Sequence, residues 1–331
     1  MKLSGHSQQL HLALPFIKKL EPEYWKAIDP DTESAKTVYD SGTKLVVRHY
    51  ADPIASVSQA VANPLQAAKD FAWECANQPW FPYAWAIETH NEPMPFYDSR
   101  IDEYKRFEYN CVQVFESMGK ECVVGHMGTG NTGHTVYTAK YYGAHDYGWP
   151  NILDQSPNHA LMYRYWFASV LDENPDAKLF ITECGVTRAV VDPTAVQWQD
   201  FEMGWKSDGR SAKEYWQGSL QPYLQAIDSD SYVLAAFIFQ AAGLPAWASF
   251  EILGTEIESF LLGEVDDMNV DIVKQHENEF WAWVNAGGWK QFALFLMATG
   301  QVPYDKSLAK ELLDDKLTSV SNESRLLVSK M

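Results

Sequence analysis

Two stretches decide the fold: YAWAIETHNEP at residues 83–93 and LFITECG at residues 179–185. Each is a short apolar run, rich in aromatic or β-branched residues, that leads into a carboxylate: Glu92 in the first, Glu183 in the second. Runs of that length bounded by Pro or Gly read as buried strands rather than helices. The first predicts a strand over Ala84–His90, and the second a strand over Lys178–Thr182. Gly185 then permits a sharp turn into a loop. Both carboxylates therefore stand where a strand gives way to a loop.

Working outward, similar runs alternate with helical patterns, which argues for α/β units around a parallel sheet. Upstream, Leu10–Leu14 reads as a first strand, with a short helical stretch around Phe16–Leu20. Trp25–Asp29 is a second run, and Asp31 or Thr32 can cap a helix over Glu33–Asp40. Lys44–Tyr50 follows as a strand, and Asn63-Pro64 opens a helix to about Asn77. Downstream, Ile101–Met118 is helical and Glu121–His126, Tyr141–His145 and Val233–Gln240 are strands. Helices over Ala160–Asp172 and Ala212–Ile227 fill the gaps. Eight such units predict a (β/α)8 TIM barrel over residues 1–264, a fold that takes about 250 residues. After residue 262 the rhythm stops. Residues 265–331 read as helices with no Gly/Ser-rich linker before them, hence a C-terminal helical extension packed on the barrel.

Composition excludes more than it names. The chain has 331 residues and a formal net charge of −18, a surface that repels phosphate backbones and anionic membranes. Nucleic acid and membrane are therefore not expected partners. The four cysteines show neither CxxC nor paired-His spacing, so no disulfide framework or zinc site is expected. The N-terminus, MKLSGHSQQLHLALPF, lacks the apolar run of a signal peptide. The expectation is a soluble protein, cytoplasmic or released after processing. Thirteen Trp, 17 Tyr and 16 Phe are an aromatic surplus, which suits stacking on sugar rings as well as core packing.

Two strand-end carboxylates at one barrel mouth match the needs of glycosidic cleavage with retention. One carboxyl protonates the leaving oxygen while the other attacks the anomeric carbon, and the two stand about 5–5.5 Å apart. Asn91-Glu92-Pro93 and Thr182-Glu183 resemble the strand-four and strand-seven motifs of clan A retaining glycoside hydrolases. The resemblance spans roughly residues 10–262. It implies that Glu92 is the acid/base, Glu183 the nucleophile, and Asn91 the partner of the substrate 2-hydroxyl. GAHDYG at residues 143–148 is similar to the clan's His-x-Tyr element. That likeness implies that His145 and Tyr147 border the nucleophile, with the Tyr147 hydroxyl donating to Glu183. Other stretches, YRYW at 163–166 and AWASF at 246–250 among them, resemble uncharacterised bacterial and phage members of the superfamily.

The chain also departs from the clan. Many members end strand eight in a Trp beneath the sugar, whereas this strand ends in Phe239-Gln240 and Trp247 arrives seven residues later. Trp247 is a candidate platform from the loop, and Trp149 a candidate sugar-stacking aromatic at the rim. Arg48 and Glu88 are candidates for the barrel mouth or interior, with Glu88 expected to meet Arg48, a hydroxyl or a His. Period-two alternation would put Glu88, His90 and Glu92 on one face. His126, Asn131 and His134 read as a polar loop facing substrate, since their spacing matches no zinc motif.

The expected activity is hydrolysis of a neutral β-linked glycan by double displacement, with a carbohydrate substrate and no metal or organic cofactor. Two rivals stand beside it: a peptidoglycan-cleaving lysin of the same fold, and a glycan-binding barrel without turnover.

Overall fold

The computed structural model describes residues 3–50, 53–94, 97–129, 139–155, 159–191 and 203–264. Eight parallel strands pair in chain order and close on themselves, the last against the first, making a (β/α)8 TIM barrel. They are β1 (Leu3–Ser7), β2 (Tyr24–Ile28), β3 (Lys44–Arg48), β4 (Ala86–Glu88), β5 (Glu121–Met127), β6 (Tyr141–Gly148), β7 (Lys178–Val186) and β8 (Val233–Ala242). Between them run α1 (Leu10–Leu20), α2 (Thr32–Asp40), α3 (Pro53–Ala62), α4 (Pro64–Ala76), α5 (Ile101–Ser117), α6 (Tyr163–Glu173), α7 (Ala212–Tyr215) and α8 (Gln221–Asp228), and α9 (Glu256–Leu262) follows β8. The helices expected between residues 265 and 331 lie outside the described residues, as do Asn131 and His134.

Alternation along the strands sorts the side chains. Trp25, Leu45, Val47, Ile87, Tyr142, Leu179 and Ile181 belong to the core between sheet and helices. Tyr24, Val46, Ala86, Val123, Tyr141, Phe180, Ala235 and Phe237 form a separate apolar cluster inside the barrel. One step further along the same faces the chemistry changes. Two residues after Tyr24 comes Lys26, two after Val46 comes Arg48, and two after Ala86 comes Glu88. The barrel thus has an apolar floor with a layer of charge above it, at the strand ends where such barrels carry their sites.

Two expectations fail here, each for a physical reason. Leu10–Leu14 is not a strand but the start of α1. Its Leu10, Leu12 and Leu14 imitate period two, yet the buried set is Leu10, Ala13, Phe16 and Ile17, a helical stripe, with Leu12 exposed. The first strand is instead Leu3–Ser7, short and polar, with Gly5 leaving room for the Trp25 indole. Period two also breaks after β4, which pairs only as far as Glu88. His90 turns toward the helices and stacks on Phe107, with centroids 4.9 Å apart and planes 13° from parallel.

Buried polar ties hold the layers. The Glu108 carboxylate, on α5 and fully buried, accepts from the Thr89 hydroxyl at 2.7 Å and the Gly125 N–H at 3.0 Å. Asp146, on the outer face of β6, accepts from the Tyr223 hydroxyl at 2.7 Å and the Leu161 N–H at 3.2 Å. Burial pushes the Asp146 carboxyl up to about 7, and those two donors oppose the shift only in part. The folded state therefore holds a proton that the unfolded chain, with an ordinary value of about 3.9, releases. This contribution is full below pH 4 and is lost as pH rises through 7. Asp146→Asn is expected to match the wild-type melting temperature near pH 4 and exceed it near pH 8, with a difference of about 4 kcal/mol. Melting curves across that range check it, and a pH-independent difference counts against it.

Cys75, Cys111, Cys122 and Cys184 are buried and free. Among the described residues no helix is long and apolar enough to cross a membrane. No cluster of metal-ligating side chains occurs among them either.

Candidate active site

Glu183 reaches the barrel mouth because β7 is irregular. Phe180 faces the interior, and strict alternation would send a residue three positions later outward. Ala144 pairs with Ile181 but His145 pairs with Glu183, so β7 carries one extra residue, Thr182, at that point. The bulge returns Glu183 to the inside. The strand continues past it to Val186, four residues beyond the end expected from the sequence.

Glu183 is almost completely enclosed, and charge surrounds it. One carboxylate oxygen, Oε1, lies 2.9 Å from the Arg48 guanidinium, 3.5 Å from the Lys26 ammonium and 3.9 Å from His6 Nδ1. The other, Oε2, accepts from the Tyr147 hydroxyl at 3.0 Å and lies 3.8 Å from His145 Nδ1. Burial alone would push a carboxyl up by as much as about 3–5 pH units, while each opposite charge at this range pulls it down by about 1–3. Here burial is outweighed by His145, Lys26 and Arg48, which hold Glu183 well below the ordinary carboxylate range. His6 contributes polarity rather than charge, because burial first and Lys26 second push its own pKa well down.

Glu92 is placed differently. It sits beyond β4 with a backbone φ of +43°, a left-handed conformation that costs an L-residue energy and is typical of functional turns. That turn brings the side chain back over the mouth, where Oε1 meets His145 Nδ1 at 2.8 Å. About a quarter of the side chain stays exposed, at 27 %. Gly128 lies against the carboxyl; a Cβ there would stand 3.1 Å from Glu92 Cδ. One imidazole nitrogen thus touches both carboxylates, at 2.8 and 3.8 Å. The two contacted oxygens are no farther apart than those distances combined, which admits the about 5–5.5 Å of retaining enzymes.

The other sequence candidates divide. Arg48 donates to the Asn91 side-chain oxygen as well as to Glu183, tying β3 to the turn that carries Glu92. Glu88 is fully buried and pairs with Lys26 at 3.0 Å. Trp247, half-buried, packs edge-on to Phe239 with centroids 5.2 Å apart. Both line a cavity of about 340 Å³ with Gln8, Arg48, His49, Tyr50, Asn91, Glu92 and Glu183. Trp149 is absent from that lining. It packs against the core between sheet and helices and carries the Arg188 guanidinium 5.9 Å above its ring.

Sequence reading missed several contributors. His6 went unnoticed because its strand was misplaced. Lys26 did leave a signal, being a lysine inside the apolar run Tyr24–Ile28 on the same face as Tyr24. His49, unassigned from sequence, bonds to Asp29 at 2.6 Å through Nδ1, and that bond raises its pKa against the effect of burial.

No family model matches the sequence, and no curated protein matches it. Solved structures do. A GH2 beta-galacturonidase from Eisenbergiella tayi bound to galacturonate aligns with a TM-score of 0.50 at 11 % identity, over 80 % of this chain and 51 % of that one. A b-glucuronidase from Ruminococcus gnavus in complex with D-glucuronic acid aligns at 0.49 and 11 %, over 73 % and 43 %. A family 1 b-glucosidase from Thermotoga maritima aligns at 0.45 and 11 %, over 70 % and 76 %. The chain spans about half the length of the galacturonidase. At this identity the galacturonidase likeness shows a shared fold.

Proposed function

We propose that the chain is a retaining glycoside hydrolase that cleaves β-glycosidic bonds by double displacement. One observation carries this reading. Two carboxylates meet a single imidazole at the barrel mouth, and only Glu183 is enclosed by cations while Glu92 stays open to solvent. An enclosed, ionised carboxylate suits attack, and an accessible one suits exchange of protons with substrate and water.

In the first step Glu92 donates its proton to the glycosidic oxygen as Glu183 attacks the anomeric carbon. The C–O bond to the leaving group breaks, and a glycosyl ester forms on Glu183. In the second step Glu92, now ionised, takes a proton from water, which attacks the same carbon and releases Glu183 as carboxylate. Tyr147 and Arg48 hold the nucleophile's two oxygens apart and in place. Asn91, fixed by Arg48, faces the substrate 2-hydroxyl, a contact that strengthens as positive charge develops at the anomeric carbon. Phe239 and Trp247 give the sugar an apolar surface, the role that sequence alone also offered to Trp149. Residues 1–264 carry this activity.

The name of the beta-galacturonidase whose fold the chain shares accords with this class. Sugar release from β-glucans, mannans, xylans, chitosan, a β-uronide and peptidoglycan tests it, with the first-formed anomer read by proton NMR. Release of a β-anomer from a β-linked substrate is expected. An α-anomer would overturn the retaining mechanism. Binding without release would leave a glycan-binding barrel, and release from peptidoglycan alone a lysin.

A further inference from the structure

We propose that Lys26, neutralised by Glu88, is a positioning residue for Glu183, holding from inside the barrel both the carboxylate and the backbone that carries it. The inference rests on the reading of Glu183 as nucleophile. An ammonium has three N–H donors, and three acceptors surround this one. They are Glu88 Oε2 at 3.0 Å, the Thr182 carbonyl at 3.0 Å and Glu183 Oε1 at 3.5 Å. The first lies on β4 and the other two on β7, so one side chain from β2 reaches across the barrel interior. The Thr182 carbonyl belongs to the bulge residue that turns Glu183 inward. Lys26 therefore grips the irregularity on which the nucleophile's position depends.

A merely stabilising pair is a poor account of this arrangement. Lys26 and Glu88 are both completely buried, and apolar residues of similar volume are often neutral or stabilising in place of such a pair. The floor directly beneath is apolar, so the barrel could have continued that way. Glu88 matters during turnover. Arg48 and Lys26 face the carboxylates of Glu183 and Glu88, and esterification of Glu183 removes one negative charge. Arg48, at the partly open mouth, can then turn to water, whereas Lys26 cannot and keeps Glu88 as its counter-charge.

Among the described side chains, the groups facing Glu183 are His6 from β1, Lys26 from β2, Arg48 from β3, and His145 and Tyr147 from β6. Glu88 and Glu92 stand behind Lys26 and His145 respectively. Of the permanent cations, Lys26 is the one wholly shielded from solvent, so salt screens its effect least.

The test is a pH titration of Glu183 in the full-length, 13C-glutamate-labelled protein, with its signal assigned by its loss in Glu183→Gln. In the double variant Lys26→Met/Glu88→Gln, which removes both charges together, the Glu183 midpoint is expected to rise by about 1–3 pH units. The acidic limb of kcat/KM on an aryl β-glycoside should rise with it. Glu88→Gln alone should move the midpoint down, since Lys26 then acts on Glu183 undivided, and this variant serves if the double one does not fold. A midpoint unmoved in a folded variant overturns the proposal, even in an active enzyme. A shifted midpoint in a protein that hydrolyses no glycan supports the role of Lys26 and counts against the glycosidase reading instead.

Discussion

Glu183→Gln is expected to abolish turnover, with a loss larger than the about 10²–10⁴-fold that a proton-transfer group supplies. The amide keeps the shape of the side chain but cannot form the glycosyl ester, so both displacement steps fail. A second effect should accompany the first. Lys26 and Arg48 lie 3.5 and 2.9 Å from the carboxylate, and the substitution leaves them sharing one fewer counter-charge in an enclosed space. Removing one partner of a buried ion pair costs about 3–5 kcal/mol, and retention of Glu88 offsets part of that here. The variant should therefore melt below the wild type. Steady-state kinetics and thermal melts check both, and residual activity above about one-hundredth of wild type, the low end of a proton-transfer effect, would exclude Glu183 as nucleophile.

Glu92→Ala should lose activity selectively. With a substrate whose leaving group needs a proton, kcat/KM is expected to fall by about 10²–10⁴-fold. An aryl glycoside whose leaving group departs unprotonated should still form the glycosyl-enzyme, which then waits for water without a general base. Added azide needs no such base. It should attack the anomeric carbon, restore turnover and give a β-glycosyl azide, recoverable from the mixture. Equal losses on both substrates, with no azide product, would place the acid/base elsewhere.

How much of this was legible depends on how each residue is held. Strands β2 to β8 could be read because their outward residues pack under helices and must be apolar. β1 could not, since Ser4 and His6 are themselves polar and Gly5 yields to Trp25, which leaves no apolar pattern. Glu92 and Glu183 were visible as strand-end carboxylates next to a turn residue. Their meeting at one mouth was expected of a barrel, but the backbone route to it was not, because it depends on a bulge at Thr182 and a left-handed turn at Glu92 that period two does not encode. Trp149 illustrates the converse. Its position after β6 suggested the rim, but Arg188 and the helix-side core claim its ring.

On β6 the residues alternate between two duties. His145 and Tyr147 turn inward to the carboxylates, while Asp146 between them turns outward to Tyr223 and Leu161. Three adjacent codons thus answer to the barrel mouth, the helix-side anchor and the mouth again. Mutational drift that loosens the outer anchor would tilt the strand and misalign its neighbours, so tolerance to change should be lowest here. A directed-evolution library seeking new sugars would do better to leave this strand intact and vary Tyr50 or Trp247, where the cavity wall is built by loops.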